Sequence, residues 1–528
     1  GGFQLLCDAR NEAAVAALRE RKAREAKPFA LMVADLDAAR ALAHINEAEA
    51  AALTSPEAPI VLLERRAGVA LAPSLSPGLS TLGVMLPASP LHHLIAGDLG
   101  FPVVATSGNL SGEPLCIAND EALARLGKIA DSLLVHNREI VRPLDDSVVR
   151  VIGGRAVTLR LGRGLAPLPL EVPAPRGNAL AYGAHMKNAP ALLSGKYVVL
   201  AQHVGDLDSE SARAALVRAG RDLKNLFTEN ESGGAAAACD AHPDYGSTRV
   251  ALQHSGAPLR VWHHHAHVLA CMLDNEADGE VLGVSWDGTG LGPDGTIWGG
   301  EFLRVDGARF ERVAHLRAFR LPGGRAAIGE PLRVTAALLH DIYGEDLPRV
   351  GPFADEALRK KARLWASLPN APTTTSAGRL FEAVAALLGL CEKNRYEGET
   401  AMRLESIAAG DDDSAYELAL VSGEAIVLDW EPLIRAIMRD LEAGEGAPAI
   451  AAHFHGALAR AIAEVATKLK APRVALTGGC FQNRILCESA IVALRAAGIE
   501  PFWHRRVPPG DGGIAAGQAL AAWYAKEG

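Results

Sequence analysis

Residues 280–290 read Glu-Val-Leu-Gly-Val-Ser-Trp-Asp-Gly-Thr-Gly. An apolar run of strand length ends in Asp287-Gly288-Thr289-Gly290. The same order returns at residues 474–477, which lead into Gly478-Gly479 and then Cys480-Phe481-Gln482-Asn483. Glycine turns at strand ends are where α/β sheets hold phosphates, because backbone N–H groups can approach an anion with no Cβ in the way. One such turn is as readily a plain tight turn. Two of them, each followed by polar residues, make nucleotide binding an equal contender.

Outward from these turns, strand-like runs are predicted at 197–201, 280–286, 302–305 and 474–477. Long Ala/Leu-rich helices are predicted over 331–343, 379–390 and 453–469. Residues 171–178, Glu-Val-Pro-Ala-Pro-Arg-Gly-Asn, form the clearest linker, since two prolines fix extended backbone and nothing apolar is periodic there. Before it, apolar runs at 59–63, 101–105, 131–135 and 147–151 alternate with helical patterns at 11–24 and 47–53. This is an α/β twisted-sheet pattern. The expected organisation is a first domain over 1–170, the linker 171–178, and a second domain over 179–528.

A chain of 528 residues with 49% apolar content, 22% charge and 5% aromatics can build two or three cores, which excludes disorder over most of its length. The net charge of −9 divides as −1 on residues 1–170 and −8 on the remainder, so a basic nucleic-acid footprint is missing. No run approaches the roughly 18 apolar residues of a membrane span, and the start lacks the order of a signal peptide. A cytoplasmic location is expected. The seven cysteines are odd in number, scattered and never in a CxxC pair, which argues against a disulfide framework or thiolate zinc finger. A start at Gly1-Gly2-Phe3 suggests a piece of a longer protein.

Residues 263–267 read His-His-His-Ala-His. On a helix, His263 and His267 at i and i+4 share one face and can ligate one cation, with His264 and His265 pointing elsewhere. The alternative is a polar helix start with packing imidazoles. The best candidate for a third ligand is Asp511, on the glycine loop 508–513, although such loops are also ordinary turns. Imidazole plus carboxylate with open positions suits iron, zinc or manganese. Such an ion would hold phosphate or polarise a carbonyl.

In the first domain, Lys22, Arg24 and Lys27 stand in a basic stretch that ends a helix and enters a strand. A solvated helix end is the ordinary reading of such charges. The segment Thr106-Ser107-Gly108-Asn109-Leu110-Ser111-Gly112 follows an apolar strand and offers an anion cradle. Arg160 and Arg163 add two guanidiniums suited to bidentate phosphate or carboxylate recognition.

Taken together, these motifs resemble the HypF family, the carbamoyltransferases of nickel–iron hydrogenase maturation. The likeness runs through Lys27-Pro28-Phe29-Ala30, residues 83–87, 106–114 and 138–146, then residues 183–188, Gln202-His203-Val204-Gly205-Asp206, residues 240–245, the histidine run, 286–290, Gly378-Arg379-Leu380-Phe381, 396–398, 478–483 and 508–513. It implies a YrdC-like domain followed by a TsaD-like domain of the two-lobed actin and sugar-kinase (ASKHA) architecture. The implied reaction is ATP-dependent. Carbamate, from carbamoyl phosphate, is adenylated in the first domain, and the carbamoyl group passes in the second to the C-terminal cysteine thiol of a HypE-type acceptor, precursor of the cyanide ligand. By the same resemblance Lys27, Ser107, Asn109, Ser111 and Arg160 line the first nucleotide site, Lys27 and Arg160 as catalytic groups. Asp287 is the catalytic carboxylate of the second. Gly288, Thr289, Gly290, Gly378, Glu382, Gly478, Gly479 and Asn483 bind its nucleotide, Lys187 is a further nucleotide-binding residue, and His263, His267 and Asp511 hold one iron or zinc ion. Magnesium accompanies the nucleotide. Membrane and nucleic-acid partners are not expected, and a homodimer stays open. The acylphosphatase and zinc-finger modules that precede these domains in the family are not in this sequence. Glu382 stands where the family more often has aspartate.

Three rival readings remain: an O-carbamoyltransferase, a tRNA threonylcarbamoyl-type transferase and an RNA-binding module. Domain order argues against the first, since there the TsaD-like part comes first. The acidic second domain argues against tRNA, whose phosphates call for a basic surface.

Overall fold

The computed structural model describes residues 1–110, 112–227, 236–410 and 416–526. Its chain divides into two compact units. The first comprises Gly1–Arg260 together with Arg505–Lys526, and the second spans Val261–His504. This division falls at 260/261 and not in the expected linker. Glu171, at the start of that segment, ends the strand Leu168–Glu171.

The first unit holds two sheets. One runs in the order Gln4–Asp8, Val103–Ser107, Ala30–Met32, Thr81–Met85, Ile60–Arg65, Val148–Ile152 and Arg155–Arg160, with Ala43–His44 paired to the fifth of these strands. It mixes parallel and antiparallel pairs. Alternation of side chains puts Leu31, Val61, Leu63, Leu82, Val84 and Val104 into one core with Val15 and Leu18 of the helix Glu12–Arg21. Met32, Ile60, Met85 and Val103 fill the other face. Asn11 starts that helix by accepting from the Ala14 N–H at 3.2 Å. The second sheet runs Ala236–Asp240, Ala179–Ala181, Ala191–Ser194, Tyr197–Leu200 and Leu168–Glu171. The chain returns to it at the end: the helix Ile514–Tyr524 lies against this sheet, and Gln518 is buried with its side-chain carbonyl accepting from the Gly183 N–H at 2.8 Å.

The second unit is built on one sheet, ordered Ala419–Val421, Ile426–Asp429, Arg309–Leu316, Ile297–Asp306, Val281–Leu291, Arg473–Thr477 and Glu500–Trp503. The strand Val281–Leu291 pairs antiparallel to Ile297–Asp306 and parallel to Arg473–Thr477. It is buried over residues 281–287, so its near-continuous apolar run is what a strand covered on both faces requires. The buried helix His263–Asp274 packs on it.

Two local expectations fail. Residues 131–135 form no strand; Leu134 is 68% exposed, because an apolar run gains ladder hydrogen bonds only where a neighbouring strand is free to receive it. Residues 287–290 are no turn either. The strand continues to Leu291 through an irregularity between Trp286 and Gly290, and the chain reverses at 292–296 instead.

Candidate functional site

In the first unit, the segment after the helix Glu12–Arg21 is pinned by arginine. Arg19 donates to the carbonyls of Ser74, Leu75, Arg24 and Lys27, and its guanidinium lies 4.6 Å above the Phe29 ring. Arg24 donates to the carbonyls of Lys27 and Pro28. Lys22 turns inward and is 2% exposed. Its Nζ donates to the carbonyls of Ser107 and Asn109, each at 2.5 Å, and to Asn109 Oδ1 at 2.8 Å. Burial first, and then Arg24, pushes this amine down to about 7. Ser107 Oγ donates to Asn109 Oδ1 at 2.7 Å, so Ser107 and Asn109 do converge, around Lys22. Ser111 lies outside the described residues.

Lys27 keeps solvent contact, yet surrounding protein is the largest influence on its amine, which desolvation and then Arg24, Arg160 and Lys187 push down to about 8. Arg160 donates through Nε to the Asp146 carbonyl at 2.9 Å. Its terminal nitrogens make no hydrogen bond among the described residues. Arg163 differs, being occupied by Asp146 Oδ1 and the carbonyls of Glu57 and Ala58. Lys187, with φ of 45°, donates its backbone N–H to Asp206 Oδ1 at 2.8 Å. The structure thus sets Lys187, a nucleotide-binding candidate from the sequence, near Lys27. His203, between Asp145, Arg160 and Asp206, is pushed down to about 4 by burial. This cationic cluster with a neutral imidazole suits a polyanion such as a triphosphate.

In the second unit, His263 and His267 project from the first turn of the helix His263–Asp274, ring centroids 4.9 Å apart. Their Nε2 atoms lie 3.4 and 3.5 Å from Asp287 Oδ2. The other carboxylate oxygen accepts from the Gly479 N–H at 2.9 Å, which fixes its orientation. Burial works against its ionisation, but the two imidazoles hold the Asp287 carboxyl well below the usual range. Asp287 is therefore a candidate ligand that sequence reasoning placed only as a catalytic group. The ligand atoms of these three residues lie within 4.8 Å of one another. His267 Nε2 is buried, 3.5 Å from Asp287 Oδ2, and makes no geometric hydrogen bond among the described residues. That donor set fits a zinc or iron ion. Asp511 belongs to the first unit, where it opens the short turn Asp511–Gly513 next to the Lys187 loop.

Three segments of the second unit meet around Asp287. Ser376 Oγ stands 2.8 and 2.7 Å from the carbonyls of Asp287 and Gly288, and a Cβ on Gly378 would come within 2.9 Å of the Gly288 Cα. A Cβ on Gly478 would strike the Trp286 carbonyl at 2.2 Å, and one on Gly479 would strike Asp287 Oδ1 at 2.6 Å. These glycines let backbone reach backbone. Gly290 behaves differently, since its missing Cβ makes room for His263 and His264. Thr289 is half-buried on the same strand. Glu382 forms a 2.6 Å ion pair with Arg379 and accepts from Asn394 Nδ2 at 3.0 Å; burial, which Arg379 opposes, pushes it up to about 7. Asn483 caps the helix Arg484–Ala496 and bonds His455 at 2.8 Å. Ser376, Arg379 and Asn394 were missed from sequence. Arg379 was visible only as part of the motif at 378–381.

Residues 1–162 match the family described as telomere recombination, residues 174–274 the HypF Kae1-like domain, and residues 283–518 the carbamoyltransferase Kae1-like domain, second subdomain. The chain is 44% identical to a carbamoyltransferase HypF of Rhodobacter capsulatus over 99% of its own length and 70% of the relative's. Against the one from Synechocystis sp. it is 40% identical, covering 100% of this chain and 71% of the relative. A full-length HypF crystallised in a phosphate- and nucleotide-bound form superposes with a TM-score of 0.94 at 37% identity, covering 100% of this chain and 84% of that one. The HypF of T. kodakarensis gives 0.93 at 34%, covering 100% and 71%.

Proposed function

The chain belongs to the HypF family and is a carbamoyltransferase, and on that premise we propose that it is ATP-dependent, adenylates carbamate in a YrdC-like domain over 1–170 and transfers the carbamoyl group in a TsaD-like domain over 179–528. The acceptor is the C-terminal cysteine thiol of a HypE-type protein in hydrogenase maturation. The observation that carries the reading is the set His263, His267 and Asp287 beside a glycine-lined strand end.

In the first step a carbamate oxygen attacks the α-phosphorus of ATP, the bond to the β-phosphate oxygen breaks, and pyrophosphate leaves with magnesium. Lys27 and Arg160 neutralise charge on the phosphates as it shifts. Lys22 holds the Ser107–Asn109 loop that cradles them, and Ser111 is assigned to the same cradle. Carbamoyl adenylate hydrolyses in open water, so its passage must be shielded. In the second step the acceptor thiolate attacks the carbamoyl carbon and AMP departs. Gly288, Thr289, Gly378 and Gly478 offer backbone donors to its phosphate, while the Gly479 N–H keeps Asp287 oriented and Glu382 and Asn483 stand behind them. Lys187 is placed to meet the intermediate. His263, His267 and Asp287 would hold one iron or zinc ion, which would supply Lewis acidity, and Asp511 is assigned as a further ligand by the family resemblance. That a solved relative was crystallised in a phosphate- and nucleotide-bound form supports the nucleotide part of this reading.

The test is ATP–pyrophosphate exchange with a carbamate source, run alongside transfer of radiolabelled carbamoyl to a thiol acceptor. His263→Ala and Asp511→Ala should abolish transfer and leave exchange intact; Lys27→Ala should abolish exchange. Unchanged transfer in both metal-site variants would overturn the reading.

A further inference from the structure

Of the four imidazoles in residues 263–267, three have a structural explanation. His263 and His267 face Asp287. His265 bonds the Gly307 carbonyl at 3.2 Å and packs on Phe310, ring centroids 4.8 Å apart. His264 has none. It is 1% exposed, and neither of its ring nitrogens finds a hydrogen-bond partner among the described residues. Its ring centroid lies 5.4 Å from His263, 6.4 Å from His267 and 6.0 Å from Trp298. It is not among the ligand atoms gathered within 4.8 Å. Its seat depends on Gly290, because a Cβ there would stand 2.5 Å from His264 Cε1. A buried imidazole with both nitrogens open is costly unless a ligand satisfies it. A neutral imidazole presents one acceptor and one donor. A carbamoyl group offers the complement, an N–H to give and a carbonyl oxygen to receive.

We propose that His264 is the specificity-determining contact of the transfer site, accepting a hydrogen bond from the carbamoyl NH2 and so selecting carbamoyl over acyl groups of the same size. The assignment rests on the carbamoyltransferase reading above. An acetyl group fills the same space but leaves the ring acceptor unpaired, and sites built to bond a polar group reject the isostere that lacks it.

The test uses the full chain and two stable adenylate mimics, sulfamoyl adenosines bearing an N-carbamoyl or an N-acetyl group, followed by calorimetry. The wild type should prefer the carbamoyl mimic by about 10- to 100-fold at one of two sites. His264→Phe should erase that preference while the affinity of the other site and the zinc or iron content stay unchanged; His264→Asn should keep most of it. A preference that survives in His264→Phe overturns the proposal, as does loss of metal in that variant, which would make His264 a ligand. Equal wild-type affinity for both mimics overturns it too while sparing the carbamoyltransferase reading. Wild-type protein that binds neither mimic removes both.

Discussion

Lys22 and Lys27 sit in one basic stretch, and their surroundings give them opposite tasks. Lys22 has all three ammonium donors engaged by Ser107 and Asn109. Replacing it with Met leaves buried carbonyls unpaired, a loss of about 1–3 kcal/mol. Differential scanning calorimetry should read this as a lowered melting temperature of the first unit. Lys27 has no such clamp. Its amine is depressed from 10.5 to about 8, so the folded chain releases this proton between roughly pH 8 and 10.5, and folding stability from this group rises with pH in that window. Anion binding favours the protonated form, so the opposite sign applies to nucleotide. Affinity of the first site for ATP should weaken above pH 8, by at most about tenfold per unit, and Lys27→Arg should flatten the fall. Burial is what distinguishes the two lysines, and burial of one lysine among several is invisible in a sequence. The pairing of His263 with His267 was legible because spacing on a helix is a local property. That Asp287 faces both required knowing where the strand Val281–Leu291 lies against that helix.

At the scale of elements, the helix His263–Asp274 and the strand Val281–Leu291 work as one part, because the missing side chain of Gly290 admits the imidazoles of the other. Gly290→Ala should push those rings out of place at a cost of about 1–3 kcal/mol. Elemental analysis should show reduced metal content, and pyrophosphate exchange should be unaffected. The continuous apolar runs at 59–63, 147–151, 280–286 and 474–477 were readable as strands because all of them are buried or nearly so. Residues 131–135 carry a similar pattern without a neighbouring strand to pair with. The sequence Asp287-Gly288-Thr289-Gly290 looks like a turn from composition, yet its two ends are paired to the strand Ile297–Asp306, Trp286 opposite Gly300 and Gly290 opposite Trp298, with residues 287–289 bulging between them.

At the scale of the whole molecule, two compact units predict unfolding that departs from two-state behaviour. Calorimetry should resolve two transitions, and a chelator should lower the one that belongs to Val261–His504, since a ligand stabilises the unit that holds most of its contacts. Removing the helix Ile514–Tyr524 should instead cost the first unit, through the uncovered sheet and the lost Gln518–Gly183 bond. Composition foresaw several cores, and the family models change over between residues 162 and 174, beside the linker 171–178; the packing division at 260/261 joins segments distant in sequence, which a local linker signal does not report.

That closing helix has a consequence for how the protein is made. The sheet it covers is synthesised before Arg260, but the helix leaves the ribosome only after the whole of Val261–His504 has been translated, which takes roughly 10–50 s at about 5–20 residues per second. For that interval an apolar sheet waits uncovered on a growing chain. The unit begun before Val261 is completed only after His504, and a nascent chain stalled in between is a natural client for a chaperone.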